Sequence, residues 1–134
     1  MLIILTVDNL RYGLDCNAAA AVVTLADLKK GPADARGLEG TLDYHGETVP
    51  VLDLNRRIAG RPSVDHLSTR IVLVSVPGND GRARLAGLIA EQVNETAAEI
   101  PGTERPGALC LRGVARKGAP PPRDINLEPF LSDL

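Results

Sequence analysis

Short apolar runs alternate with turn-forming clusters along this chain, a pattern of many strands and short connections that points to a β-barrel or sandwich. Leu2 to Val7 and Arg11 to Leu14 are separated by Asp8-Asn9, a two-residue turn pair, and predict an opening hairpin. Asp15 or Asn17 is placed to cap a short helix through the alanines at 18 to 21, since alanine has the best helix propensity. Val22, Val23 and Leu25 then begin another β-prone stretch, and Lys29 to Gly37, with Gly31-Pro32, is expected to be a loop.

Residues 40 to 54 say most. Around a two-residue turn at His45-Gly46, antiparallel pairing sets Leu42 opposite Val49 and Gly40 opposite Val51 on one core-facing side. Tyr44 and Glu47 form the hydrogen-bonded pair, so Pro50 falls opposite Thr41 on a non-hydrogen-bonded pair, where its missing N–H costs the ladder nothing. The other side of that strand is expected to be an edge or bulged. Asp53 can cap the amides of Asn55 or Arg56, Leu54 and Ile58 share a helix face, and Gly60 is a helix stop.

Gly60 to Ser68 reads as a loop, and Arg70 to Val76 as a strand that ends in the turn cluster 77 to 81. The segment after it is ambiguous. Leu85, Leu88, Ile89, Val93 and Ala97 fit a helical face, while Leu85, Gly87 and Ile89 alternate like a strand. Pro101 to Gly107 reads as a loop, Leu109 to Ala115 as a short strand, and Leu127 to Leu131 as a terminal helical turn.

Several blocks resemble, in order, those of the CheW-like domain, the coupling module of bacterial chemotaxis arrays. Arg11-Tyr12-Gly13-Leu14-Asp15 resembles its early strand end, and Gly40 followed by His45-Gly46 and Thr48-Val49-Pro50-Val51-Leu52-Asp53-Leu54 resembles its central signature. Residues 69 to 76 with 87 to 93 resemble its third block, and residues 111 to 131 its closing Gly-Val segment and last helix. The resemblance reads the ambiguous segment as strand over 83 to 90 and again over 95 to 100. It implies one CheW-like domain over 1–134, mainly β, made of two small SH3-like five-stranded barrels packed side by side with short helices.

Length and charge agree with a small binding domain. At 134 residues the chain has the size of one domain, and 15 basic against 17 acidic side chains leave a net charge of -2, without the basic face that nucleic acid demands. Tyr12, Tyr44 and Phe130 are the only aromatics, so stacking platforms for single strands are not expected either. Cys16 and Cys110 lack CxxC spacing and no export signal precedes them, which fits a reduced cytosolic setting. The apolar run at the start is too short to span a membrane.

Catalytic readings find little footing. His45 and His66, with the two cysteines, show no metal-ligand spacing, no glycine-rich phosphate loop precedes a helix, and Asp53 is better used as a cap than as an acid. No cofactor is expected. The enzyme that stays open is a small thiol or metal enzyme built on Cys16, Cys110 and His45; the other alternative is an SH3-like or OB-like module for a different peptide or nucleic acid.

The resemblance implies a cytoplasmic, non-enzymatic adaptor recruited to receptor arrays at the inner face of the membrane. Its partners would be the cytoplasmic tip of chemoreceptors and the regulatory domain of a CheA-type histidine kinase. Partner contacts are then expected at the hairpin tip, Tyr44, His45, Gly46 and Glu47, and at Val22, Leu88 and Glu91. The chain departs from the family at His45, which stands where an arginine is usual, at Ala21 in place of an acidic residue, and at Pro120 to Pro122, where three prolines cannot supply the donors of a late strand. These departures resemble coupling proteins of alternative chemosensory systems, of which the Wsp surface-sensing pathway is the nearest.

Overall fold

The computed structural model describes residues 2–15, 19–31, 37–77, 82–96, 109–115 and 118–131. Strands β1 (Leu2–Val7) and β2 (Leu10–Asp15) form the opening hairpin, with Asp8 and Asn9 at φ 52° and 61° as its turn requires. β3 (Ala19–Thr24) runs into a 3-10 turn at Leu25–Asp27 and a two-residue β4 (Lys29–Lys30). β5 (Leu38–Tyr44), β6 (Glu47–Asp53) and helix α1 (Leu54–Ala59) follow. The order closes with β7 (Arg70–Pro77), β8 (Ala83–Thr96), β9 (Cys110–Gly113), β10 (Ile125–Asn126) and helix α2 (Glu128–Leu131).

The predicted hairpin register is found: Tyr44 pairs with Glu47, Leu42 with Val49, Thr41 with Pro50 and Gly40 with Val51. Leu42, Val49 and Val51 are buried, as the core-facing reading requires. β6 pairs with β8 in parallel only over Val51–Asp53, so at Pro50 its outer side is still a free edge. Gly40 has a steric reason of its own. A Cβ there would lie 2.1 Å from the Lys29 carbonyl oxygen of β4, which pairs alongside β5 at this point.

Three expectations need correction. The alanines at 19 to 21 are strand, not helix: β3 pairs with β7 from Thr24–Arg70 to Ala19–Val74, and this long-range ladder overrides a propensity difference of well under ~1 kcal/mol per residue. The expected loop at 29 to 37 opens with β4; residues 32–36, like Cys16 and Asn17, lie outside the described residues. Where two strands were expected over 83 to 90 and 95 to 100, a continuous β8 runs from Ala83 to Thr96, with residues 97–100 outside the description. The turn cluster at 78–81 and the loop at 101–107 also lie outside it. The mainly β class is found as expected. Among the described residues the pairings run β10-β9-β2-β1-β8-β6-β5-β4, with β7 and then β3 branching from β8, and they leave the sheet open.

β8 is the strand both halves share. Up to Ala90 it pairs with β7, and from Glu91 it pairs with β1. Just past the handover stands Gln92, a non-glycine residue at φ 49°, next to a register shift in the β1 ladder. Thr6 Oγ1 donates to Gln92 Oε1 at 3.1 Å across this bend.

β7, with the stretches of β8 and β6 beside it, is buried on both faces, which explains the nearly unbroken apolar run Ile71 to Val74. Ile71, Leu73, Ile89, Val49, Val51 and Leu42 fill a small core on one face. Val72, Val74, Val76, Leu88, Ala90 and Leu52 face a larger core shared with Ile3, Leu5, Leu14, Leu111, Leu127 and Leu131. Gly87 sits in the smaller core, where a Cβ would meet Ile71 Cγ2 at 2.9 Å and Val51 Cγ2 at 3.0 Å.

Candidate functional site

The hairpin tip is built to project. His45 at φ 50° and Gly46 at φ 82° make the two-residue turn, and a Cβ placed on Gly46 meets nothing within 4 Å. Tyr44 and His45 stack, ring centroids 4.2 Å apart and planes 15° from parallel, while Tyr44 also packs on the smaller core. The imidazole is thus held on a ring that the smaller core itself supports. At the base, Lys29 Nζ donates to Asp43 Oδ2 at 2.6 Å, and this hydrogen bond and charge hold the Asp43 carboxyl below its ordinary value.

Of the other expected contacts, Val22 is half-buried on β3 against the larger core. Leu88 must be withdrawn as a contact: it is 0% exposed, in the cross-sheet row Val22–Val72–Leu88–Leu52, and presents no surface. Glu91 is half-buried and already engaged, since its Oε1 accepts from Asn55 Nδ2.

Asn55 is a residue that motif reading passed over except as a capped amide. It is 1% exposed, and its side chain ties four segments together. Its Oδ1 accepts from the Asp8 amide at 2.6 Å in the β1–β2 turn, and its Nδ2 donates to Glu91 on β8 and to Ser63 Oγ at 3.2 Å. Asp53 works beside it. One oxygen caps the Asn55 amide at 3.0 Å and accepts from Ser63 Oγ at 2.7 Å; the other accepts from the Ser63 amide at 2.8 Å. Gly60 at φ 76° ends the helix, and Arg61 reaches back to Asp8 Oδ1 at 2.7 Å.

This clasp fixes a segment that carries exposed apolar side chains. Val64 is 60% and Leu67 is 92% exposed in the loop after α1, and Leu10, 45% exposed, follows the turn held by Asn55 and Arg61. The loop is pinned at its far end as well: Thr69 Oγ1 donates to the Val64 carbonyl at 2.6 Å, and the Val93 amide to the Ser68 carbonyl at 3.0 Å. Leu67 borders a shallow groove with Leu25, Ala26, Thr69 and Arg70. Exposed leucine on a loop fastened by buried polar groups is the profile of a contact surface, because ordering has been accomplished before binding. A sequence signal existed in Val64 and Leu67, which belong to no periodic pattern within a Pro, Ser and Asp loop.

Burial pushes the Cys110 thiol up from its ordinary value, with Asp124 adding to the effect, the opposite of what a nucleophile needs. Among the described residues no three His, Cys, Asp or Glu side chains are grouped to hold a metal ion, and no helix is long and apolar enough to cross a membrane.

Comparison with known proteins adds to this geometry. Residues 1–105 match the family model of the CheW-like domain. Among solved structures, the chain is similar to the scaffolding protein TtCheW from Thermoanaerobacter tengcongensis, with 28% identity and a TM-score of 0.58. That match covers 70% of this chain and 61% of the other, so the chain spans less than two thirds of its neighbour's length. No curated protein matches.

Proposed function

The chain belongs to the CheW-like domain family, and from that premise we propose that it is a non-enzymatic adaptor coupling chemoreceptors to a CheA-type histidine kinase. It bridges the cytoplasmic tip of the receptor and the regulatory domain of the kinase, and it works in the cytoplasm at the receptor array. The observation that carries this reading is the clasped surface: Leu67 and Val64 held out on a fastened loop, with Leu10 on the turn that the same clasp secures. A few exposed apolar side chains make a contact of modest area, which suits a reversible array component better than a permanent oligomer. The stacked Tyr44-His45 tip offers a second contact, at which an imidazole replaces the usual guanidinium.

The test is direct binding of the purified protein to a receptor signalling hairpin and, separately, to the kinase regulatory domain. Leu67→Glu and His45→Glu both replace exposed side chains, and at least one should weaken one partner by about tenfold, ~1.4 kcal/mol. Unchanged binding of both partners by both variants would remove the loop and the tip from the interface. Absence of binding by the unaltered protein would reject the adaptor reading itself.

A further inference from the structure

Residues 119–123, Ala-Pro-Pro-Pro-Arg, lie outside the stretch that matches the family and take no part in the surface described above. Each proline ring locks φ near -65°, and each residue preceding a proline is excluded from the helical region. Ala119, Pro120 and Pro121 all precede a proline, so sterics alone set this stretch in extended or polyproline II backbone, about one full turn at three residues per turn. It forms no strand or helix.

The segment is held at its far end. Gly113 on β9 lies so close to Pro122 that a Cβ would come within 1.8 Å of the Pro122 carbonyl oxygen. Asp124 fastens the exit: Oδ1 accepts from the Gly113 amide at 2.9 Å and Oδ2 from Arg112 Nη1 at 3.0 Å, after which β10 pairs with β9. Ala119, Pro120, Pro121 and Arg123 are exposed, while Pro122 is half-buried. Charge is also uneven here, since residues 112–123 include four basic and no acidic side chains in a chain of net charge -2.

We propose that residues 119–123 are a preformed polyproline II ligand for a partner domain whose groove is lined by aromatic side chains and rimmed by carboxylates. Pro120 and Pro121 present the ridged apolar face that such grooves accept, and Arg123 supplies the cation for the acidic rim. Anchorage on β9 removes much of the ordering cost that a free proline-rich peptide carries. The surface is distinct from the hairpin tip and the clasped loop, so an adaptor would gain a third contact through it.

The probe is an isolated SH3 domain specific for proline-arginine ligands, followed by its own tryptophan fluorescence, which is unobscured because this chain contains no tryptophan. Saturable binding of the full chain is expected. The Pro120→Ala/Pro121→Ala double variant should weaken it by about tenfold or more, ~1.4 kcal/mol, without changing circular dichroism or Tm. Arg123→Glu, a change at an exposed side chain, should weaken it comparably and decides the matter if the double variant fails to fold. No saturable signal from the unaltered chain overturns the proposal. Binding that neither change affects overturns it too, and leaves the prolines as a rigid spacer. The adaptor reading is untouched by either outcome, because receptor and kinase binding are measured separately.

Discussion

Replacing Asp53 by alanine tests whether one carboxylate fastens the apolar loop to the helix start. Two consequences add. Loss of the cap on the Asn55 amide costs about 1 kcal/mol, typical of an N-cap removed to alanine. Loss of the acceptor for the Ser63 amide, 2.8 Å away and part-buried, costs about a further 1 to 3 kcal/mol unless water replaces it. The sum is about 3 kcal/mol. For a chain of this length each kcal/mol corresponds to roughly 4 °C, so Tm should fall by roughly 12 °C. Equilibrium denaturation gives the loss, and hydrogen exchange should show the Ser63 amide losing protection before the Leu88 amide does. A double-mutant cycle with Ser63→Ala isolates the bond from Ser63 Oγ to Asp53 Oδ1, with an expected coupling of about 0.5 to 3 kcal/mol. A loss for Asp53→Ala within ~0.5 kcal/mol, the range of ordinary surface changes, would refute the clasp, as would zero coupling in the cycle.

Gly87→Val should destabilise by about 1 to 3 kcal/mol in denaturant titration, since its Cβ meets two β-branched methyls; a neutral result would mean the smaller core is loosely filled. Gly113→Ala should free the proline segment from β9, read as lost exchange protection of the Leu127 amide, which donates to the Leu109 carbonyl at 2.8 Å. Asp43 has a lowered folded-state pKa, so what the Lys29–Asp43 pair adds is present above the unfolded value and lost as pH falls through the folded one. Carboxyl NMR titration should place Asp43 below ordinary aspartate, and Lys29→Met or high salt should return it towards that value.

What the sequence disclosed was local. The turns at Asp8-Asn9 and His45-Gly46, the Thr41–Pro50 register, the Asp53 cap and the Gly60 stop each depend on neighbours a few residues away. What it concealed depends on distant partners. Ala19 to Ala21 become strand because β7 lies beside them, and β8 runs unbroken because Gln92 takes a backbone conformation that nothing in its side chain announces. The same limit applies to the site. Leu88 carries the apolar signature of a contact and of a core residue alike, and its place between β7 and β6 decides for the core. Glu91 and Asn55 lie 36 residues apart, so their bond was invisible until the chain was folded.

The sharing of β8 sets how the molecule responds to being pulled. A load applied at β7 or β6 and resisted at β1 travels along the covalent backbone of β8 through Gln92, and needs no side-chain contact to carry it. To part the two halves, that strand must be peeled from its neighbours, which breaks a row of hydrogen bonds. Tension between the two halves would therefore be met by strand backbone, and short of rupture it would transmit displacement as a stiff rod does.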